Sequence, residues 1–313
     1  MKNWRYVVYG IIFVMAVCFP FYSGLYLRQV AITILIYMGL ALSWDMLLRS
    51  GQLSFGTAGF FGLGAYAAVL LQLSTGIHPI IGIILGGAVA FIVALLLGFA
   101  VLRLRGMYFA IVTLALASIF MLIVKNIPAL TGGPAGKMLP SVVFGGDASK
   151  MYWLALATVL ITVAASEFFQ RTRIYFALTS IRDNELVAKS SGVDVFRYLV
   201  FAFAVTAALQ GIIGGTYAQI YGFVSPEETF NINFLLLPLA MALLGGIYST
   251  VGPIVGALVL GALGEYLKLQ IPYGHRLVYG VIIIIVMLFM SRGIVGTFQT
   301  ITRRMQKKRK VII

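Results

Sequence analysis

Long apolar runs, separated by charged residues and by Gly or Pro, repeat along the whole chain. A bilayer core about 30 Å thick needs roughly 20 apolar residues per helix, whereas helices of soluble cores need much shorter runs. The pattern therefore predicts an all-α integral membrane protein with about ten transmembrane helices. The predicted spans cover residues 4–22, 30–48, 53–73, 79–102, 106–125, 152–170, 198–221, 232–248, 251–268 and 276–291.

Two of these runs are irregular. The run 53–73 is rich in glycine, so we expect a broken or re-entrant helix, which a membrane tolerates only where protein buries the backbone. The run 232–248 is short and contains Pro238, which predicts a kinked or incomplete helix. Elsewhere, glycines spaced four apart predict close approach of neighbouring helices. These pairs are Gly82/Gly86, Gly211/Gly215 and Gly252/Gly256.

Composition supports a membrane location. Hydrophobic residues make up 61% of the chain and charged residues only 10%, against about 25% in soluble proteins. A net charge of +14 would indicate a nucleic-acid partner in a soluble protein, but here the basic residues lie at the ends of apolar runs. We therefore predict no nucleic-acid partner. With ten spans, 17 of the 23 Lys and Arg residues fall on one face, which predicts that both termini are cytoplasmic.

Two loops exceed the usual connection length of about 4–6 residues. The external loop 126–151 is rich in Gly and Pro, and the cytoplasmic loop 171–197 is charged. In the latter, Ser180 and Asp183 resemble a capping box and Gly192 suits a helix stop, so a short helix is expected at about 181–191. The predicted domains are a membrane domain, residues 1–298, and a basic cytoplasmic tail, residues 299–313.

The chain lacks residue patterns for catalysis or for hydrolysis of nucleotides. A phosphate-binding loop reads G-x-x-x-x-G-K-[ST], but the nearest segment has Thr131 at its first position and Met138 at its last. A lone Cys18 excludes a cysteine metal cluster, and His78 and His275 lie in short loops. We predict no catalytic residue and no metal site, so the protein is not expected to be an enzyme.

Two acidic residues, Asp45 and Glu265, fall inside predicted spans. Buried carboxylates in membranes often couple transport to ions. However, Arg49 follows Asp45 by one helical turn and Lys268 follows Glu265, so local ion pairs are the simpler interpretation. An ion-coupled role stays open at this point.

Several motifs, in order along the chain, resemble the larger permease of the ATP-binding-cassette (ABC) importer family for branched-chain amino acids. The most characteristic is the loop segment from Glu185 to Gly192, followed by Asp194 and Arg197. The others are Gly51–Gly56 running into Phe60–Tyr66, Leu104–Leu114, Leu130–Gly133, Gly222–Pro226, Leu244–Ser249, Gly252–Pro253, Tyr279–Val281 and Arg292–Gly296. The resemblance covers about residues 30–298.

The resemblance implies a type II ABC importer permease fold with a cytoplasmic coupling helix, in a bacterial-type inner membrane. It implies four kinds of partner: a second homologous permease, two cytoplasmic ATPases, an external solute-binding protein and the lipid bilayer. No cofactor is expected on this chain, because the ATPases would use ATP and Mg²⁺. The residues implied in coupling to the ATPases are Arg182, Glu185, Ala188, Gly192 and Asp194. Those implied in the translocation path are Gly51, Gln52, Ser54, Gly56, Thr57, Phe60 and Gly64.

The sequence departs from the family pattern in two of these places. Thr57 stands where family members usually have histidine, and Lys189 replaces a glutamate of the usual coupling helix. The solute therefore stays open between a branched-chain amino acid and urea or another short amide. Two further alternatives are a stand-alone secondary transporter driven by ions and a membrane scaffold that transports nothing.

Overall fold

The computed structural model describes residues 14–271, together with 280, 281, 284 and 293–297. Within them, eight helical segments are long and apolar enough to cross a membrane. They confirm the eight predicted spans between residues 30 and 268. Of the first predicted span, residues 14–22 are described and helical. The rest of that span, most of 276–291 and the tail 299–313 lie outside the described residues.

The long helices follow the apolar runs closely. We number them α1 to α5 and α8 to α10, with α6 and α7 for two short helices between α5 and α8. The bounds are Leu25–Leu48 (α1), Thr57–Thr75 (α2), Pro79–Val101 (α3), Met107–Lys125 (α4), Ala148–Arg171 (α5), Arg173–Asp183 (α6), Glu185–Ser190 (α7), Val195–Tyr221 (α8), Asn233–Gly245 (α9) and Val251–Gln270 (α10). The spanning segment that contains α9 begins earlier, at Pro226.

Glycine and proline set the helix ends. Helix α2 stops at Gly76, whose φ of 66° lies in the left-handed region that favours glycine. Helix α3 then begins at Pro79, and the preceding His78 accepts a hydrogen bond from the backbone N–H of Ile80. The short break between Thr75 and Pro79 thus separates two long apolar helices.

Helix α8 lies at the centre of the bundle, against α2 and α3. A Cβ atom at Gly64 would overlap the backbone of Gly211, and one at Gly86 would overlap the carbonyl of Gly64. Backbones this close require glycine on both sides of the crossing. The predicted packing roles of the pairs at 82/86 and 211/215 are therefore confirmed.

Helices α9 and α10 make a second close contact. A Cβ atom at Gly256 would overlap the carbonyl oxygen of Met241, and one at Gly252 would overlap that of Gly246. This confirms the packing role of the third glycine pair. Helix α9 has 13 residues with Pro238 inside it, which agrees with the short, proline-containing span predicted there.

The glycine-rich run 53–73 is broken only at its start. Residues 49–56 form no helix, and α2 then continues without interruption from Thr57 to Thr75. A second irregular segment, residues 246–250, separates α9 from α10. Both irregular segments adjoin the same face of the bundle. Helices α1 and α5 end at this face, and α2, α4 and α8 begin there. We call this face the basic face.

The loop before α5 is folded on the opposite face. It contains helical turns at Pro128–Thr131, Gly133–Ala135 and Val143–Gly146. Strand β1, Lys137–Met138, pairs antiparallel with β2, Phe223–Val224. A further helical turn, Pro226–Thr229, follows β2. The small sheet ties this loop to the end of α8.

The loop on the basic face contains two helices, so the prediction of one helix at 181–191 is wrong. Asn184 interrupts the chain, because its side chain accepts hydrogen bonds from the N–H groups of Leu186 and Val187 at 3.0 and 3.2 Å. Asn184 therefore caps α7, and the capping box placed at Ser180 is also wrong, since that residue lies inside α6. The stop at Gly192 is confirmed by its φ of 81°.

Candidate functional site

The pair α6 and α7 protrudes from the basic face and has two different surfaces. Ala177, Leu178 and Ile181 of α6 are buried against the bundle, as is Ala188 of α7. Three other apolar residues of these two helices are largely exposed: Phe176 at 71%, Leu186 at 74% and Val187 at 59%. An apolar patch on a charged loop outside the spans is typical of a protein-docking surface. We call these three residues the exposed patch.

The structure divides the predicted coupling residues between the two surfaces. Gly192 is exposed in the turn after α7, whereas Ala188 is buried. Asp194 caps α8 by accepting a hydrogen bond from the N–H of Arg197 at 3.1 Å. Arg182 points its guanidinium toward the ring of Tyr248, 4.3 Å from the centroid. The residues of the exposed patch were not among the predicted coupling residues. Apolar residues within a charged loop were the feature of the sequence that could have indicated them.

Glu185 fastens α7 to the rest of the protein. Its carboxylate accepts from Lys189, at 2.9 Å within the same helix, and from Arg105, at 2.9 Å in the loop between α3 and α4. The hydrogen bond from Lys189, followed by the contacts with Arg105, holds the pKa of Glu185 below its ordinary value. The anion is therefore favoured in the folded protein.

This lowered pKa predicts a pH-dependent contribution to stability. The ionised Glu185 stabilises the folded protein fully at pH values above the ordinary glutamate pKa. This stabilisation is lost as the pH falls through the lower pKa of the folded state. Replacing Glu185→Gln is expected to cost about 0.2–1 kcal/mol at pH 7, as for other partly exposed pairs. At about pH 4, where an ordinary glutamate is roughly half protonated, the difference should be smaller. Denaturant unfolding in detergent at both pH values measures it.

The control for this measurement is Glu228→Gln, an exposed carboxylate on the opposite face. It should show a smaller difference at pH 7. A Glu185→Gln difference that grew on acidification would contradict the assignment of the lowered pKa to these contacts.

The irregular segment 49–56 lies inside the bundle. The N–H of Phe55 donates to Thr113 Oγ1 at 2.9 Å, and Trp44 Nε1 donates to the carbonyl of Ser54 at 2.9 Å. Thr113 lies six residues after the start of α4, which places the contact about 9 Å along that helix. Non-helical backbone at such a depth is characteristic of sites that protein or a cavity shields from lipid.

Most predicted path residues belong to this segment. Gln52 and Thr57 are buried, and their side-chain oxygens Oε1 and Oγ1 have no hydrogen-bond partner in the described part of the chain. A buried polar atom without a partner costs about 1–3 kcal/mol, so water or a polar solute is favoured there. Phe60, by contrast, packs edge-on against Phe203 in the core. Gly64 lies at the crossing of α2 with α8.

Two hollows adjoin these elements. A groove of about 90 Å³ beside the segment 49–56 is lined by residues that include Phe55, Ala58 and Ser118. A larger cavity of about 430 Å³ lies between α1, α9 and α10, with polar Tyr37 and Glu265 among its lining residues. No local sequence pattern predicts this cavity, because residues of several separate helices line it.

The acidic residues inside the spans are paired as the sequence indicated. Asp45 Oδ2 and Arg49 form an ion pair at 2.9 Å in which both side chains are at most 3% exposed. Arg49 also donates to the hydroxyl of Ser166 at 2.8 Å, and the N–H of Tyr248 donates to Asp45 Oδ1 at 2.6 Å. Glu265 pairs with Lys268. Local pairing is therefore confirmed for both carboxylates.

Comparison with known proteins identifies clear relatives. A family model described as "Branched-chain amino acid transport system / permease component" matches residues 26–287. The high-affinity branched-chain amino acid transport system permease protein LivM of Escherichia coli (strain K12) is 29% identical over 315 residues, covering 90% of this chain and 72% of that protein. LivM of Salmonella typhimurium (strain LT2) is 29% identical over 310 residues, with the same coverage of 90% and 72%.

The second permease type of that system is also related. LivH of Salmonella typhimurium is 26% identical over 193 residues, covering 57% of this chain and 61% of that protein. No solved structure matches the chain.

Proposed function

Because the chain belongs to the family of branched-chain amino acid transport permease components, as its motifs indicated, we propose that it carries branched-chain, hydrophobic amino acids. It would do so as the membrane-spanning subunit of an ATP-binding-cassette importer. The observation that carries the proposal is the family match over residues 26–287. The chain is a multi-pass membrane transport protein rather than an enzyme. In the proposed importer, ATP and Mg²⁺ are used by separate ATPase subunits.

The proposed assembly contains a second homologous permease, two ATPases and an external solute-binding protein. Relatives of both the LivM and the LivH type support the permease pair. The proposed location is a bacterial-type inner membrane. The excess of Lys and Arg on the basic face supports placing this face and both termini on the cytoplasmic side. The ATPases would then meet α6 and α7.

The exposed patch is the proposed contact with an ATPase. Leu186 and Val187 protrude from α7, while Glu185 and Ala188 hold this helix to the bundle. ATP-driven closure of the ATPases would push on α7 and tilt the membrane helices. Buried polar atoms of Gln52 and Thr57 support the segment 51–57 as part of the translocation path.

The test is uptake into proteoliposomes that contain both permeases, the ATPases and the binding protein. Replacing Leu186→Asp together with Val187→Asp should lower ATP-driven uptake about ten-fold or more, because docking would bury two unpaired carboxylates, which is costly. The matched control, Leu186→Met with Val187→Ile, keeps the patch apolar and should transport normally. Gly192 is a poorer target, since its φ of 81° strains any side chain placed there.

The outcomes separate the alternatives. Normal uptake by the aspartate variant would contradict the docking site. Uptake by this chain alone, driven by an ion gradient without ATP, would favour a secondary transporter. Uptake of urea but not leucine would favour the amide importer. If no solute is taken up with ATP or with any ion gradient, the membrane scaffold would be the remaining alternative.

A further inference from the structure

We propose that Arg182 and Tyr248 form the contact through which movement of α6 and α7 reaches the interior of the membrane domain. The inference rests on the proposed function, since it concerns how ATP-driven movement is transmitted. Both are positioning residues: Arg182, which the resemblance implied in coupling to the ATPases, contacts Tyr248 of the membrane domain through its guanidinium. Their role is to join the protruding helices to the irregular segment 246–250.

Arg182 occupies the junction of three parts of the protein. It lies at the end of α6, two residues before Asn184, which separates α6 from α7. Its guanidinium lies 4.3 Å from the centroid of the Tyr248 ring, within the range of a cation–π contact. Its Cα lies 3.3 Å from where a Cβ of Gly51 would be. One residue therefore touches both irregular segments of the basic face.

The side chain of Arg182 faces inward rather than toward a partner. It is 26% exposed, whereas Leu186, four residues further on and in α7, is 74% exposed. Its Nε also pairs with Asp183 Oδ1 at 3.1 Å, which helps to orient the guanidinium. The two helices thus have separate tasks: α7 presents the exposed patch, and the end of α6 contacts the membrane domain.

Tyr248 is held in an unusual backbone conformation. Its φ is 64°, a left-handed value that non-glycine residues rarely adopt and that persists where the surroundings impose it. Here its N–H donates to Asp45 Oδ1 at 2.6 Å, while its ring lies under Arg182. Movement of Arg182 would therefore act on a residue that is already constrained from the opposite side.

The segment around Tyr248 is connected to several long helices. Thr250 Oγ1 is hydrogen-bonded to Ser166 Oγ of α5 at 2.8 Å. That hydroxyl also accepts from Arg49, which is paired with Asp45 of α1. A displacement at residue 248 would thus reach α1 and α5 through hydrogen bonds and an ion pair. It would reach α9 and α10 through the chain itself.

The test compares solute transported per ATP hydrolysed in the complete importer reconstituted in proteoliposomes. Arg182→Ala removes the cation, and Tyr248→Gly removes the ring while accepting the positive φ without strain. Each should lower the ratio about two- to five-fold while ATP hydrolysis continues, which corresponds to losing a partly exposed cation–π contact. Tyr248→Phe keeps the aromatic face and should retain the ratio. Arg182→Lys keeps the charge but not the planar guanidinium group. Its ratio should lie between those of the wild type and Arg182→Ala.

A double variant tests whether the two residues act together. Arg182→Ala with Tyr248→Gly should lower the ratio no further than either change alone, because both remove the same contact. A merely structural role would lower the thermal unfolding temperature and leave the ratio unchanged. An unchanged ratio in Arg182→Ala and Tyr248→Gly, or additive losses in the double variant, would overturn the inference.

The proposed function is judged separately, on the unsubstituted protein. If the complete wild-type assembly shows no ATP-dependent uptake, the proposed function fails and this inference fails with it. If the wild type is coupled and these variants keep its ratio, only the role of Arg182 and Tyr248 is refuted.

Discussion

Replacing Asp45→Ala is expected to lower the free energy of unfolding by about 3–5 kcal/mol, the cost of removing one partner of a buried ion pair. The substitution would leave the guanidinium of Arg49 buried and uncompensated, since its side chain is only 3% exposed. It would also remove the acceptor of the Tyr248 N–H. Denaturant unfolding of the purified protein in detergent measures the loss.

The chain offers a matched control for this prediction. Glu167 and Arg171 form an ion pair with the same four-residue spacing at the end of α5, but Arg171 is 72% exposed. Glu167→Ala should cost only about 0.3–0.5 kcal/mol, as exposed helical pairs do. Replacing both members, Asp45→Leu with Arg49→Met, should recover part of the loss because no uncompensated charge remains. Equal losses for Asp45→Ala and Glu167→Ala would show that burial does not govern this pair.

A further substitution, Asp45→Asn, bears on how transport is energised. If Asp45 were an ion-coupling group, Asp45→Asn would abolish gradient-driven uptake in a protein that is still folded. If the pair is structural, uptake in folded Asp45→Asn protein should still require ATP and the partner subunits. The amide oxygen can still accept from Tyr248, so this variant should be milder than Asp45→Ala.

Replacing Gly256→Ala is expected to separate α9 from α10 and to lower the free energy of unfolding by about 1–3 kcal/mol or more, as overpacking does. The added Cβ would lie closer than 3.0 Å to the carbonyl oxygen of Met241, an approach that real Cβ atoms essentially never make. Backbone atoms cannot move aside as a flexible side chain can. Thermal unfolding followed by size-exclusion chromatography detects the change.

Gly98→Ala is the matched control for this substitution. Gly98 also lies inside a membrane helix, α3, but a Cβ there would meet only side chains at ordinary distances: Leu102 at 3.4 Å, Phe203 at 3.6 Å and Val200 at 3.9 Å. Because alanine favours helices by about 1 kcal/mol over glycine, this variant should be as stable as the wild type or more stable. If Gly256→Ala were equally well tolerated, the close approach of α9 and α10 would be refuted.

Local signals predicted much of the fold. Run length located the eight spans between residues 30 and 268, since bilayer thickness dictates how many apolar residues a helix needs. The four-residue spacing of Asp45 and Arg49 predicted their pair because helical neighbours meet at that spacing. The capping signal failed at Ser180, because Asn184 competes four residues later and its side chain binds the next two free N–H groups.

The candidate site was predicted less completely. The motifs located the proposed coupling residues between 182 and 194 and most of the irregular segment 49–56 along the chain. They could not show that Ala188 faces inward while Leu186 and Val187 face outward, because the break at Asn184 sets the orientation of α7. Phe60 and Gly64 share a motif with Thr57, yet their positions on α2 direct them to helix contacts.

Membrane residence, the approximate number of spans and the family were determined by the sequence alone, because each depends on composition or on motifs that are continuous in the chain. The meeting of Arg182 with Tyr248, 66 residues further on, was decided only by the tertiary structure. So was the link from Asp45 to the segment 246–250. Contacts of this kind depend on how far each helix extends and where it breaks, and no local pattern encodes the distance between two such ends.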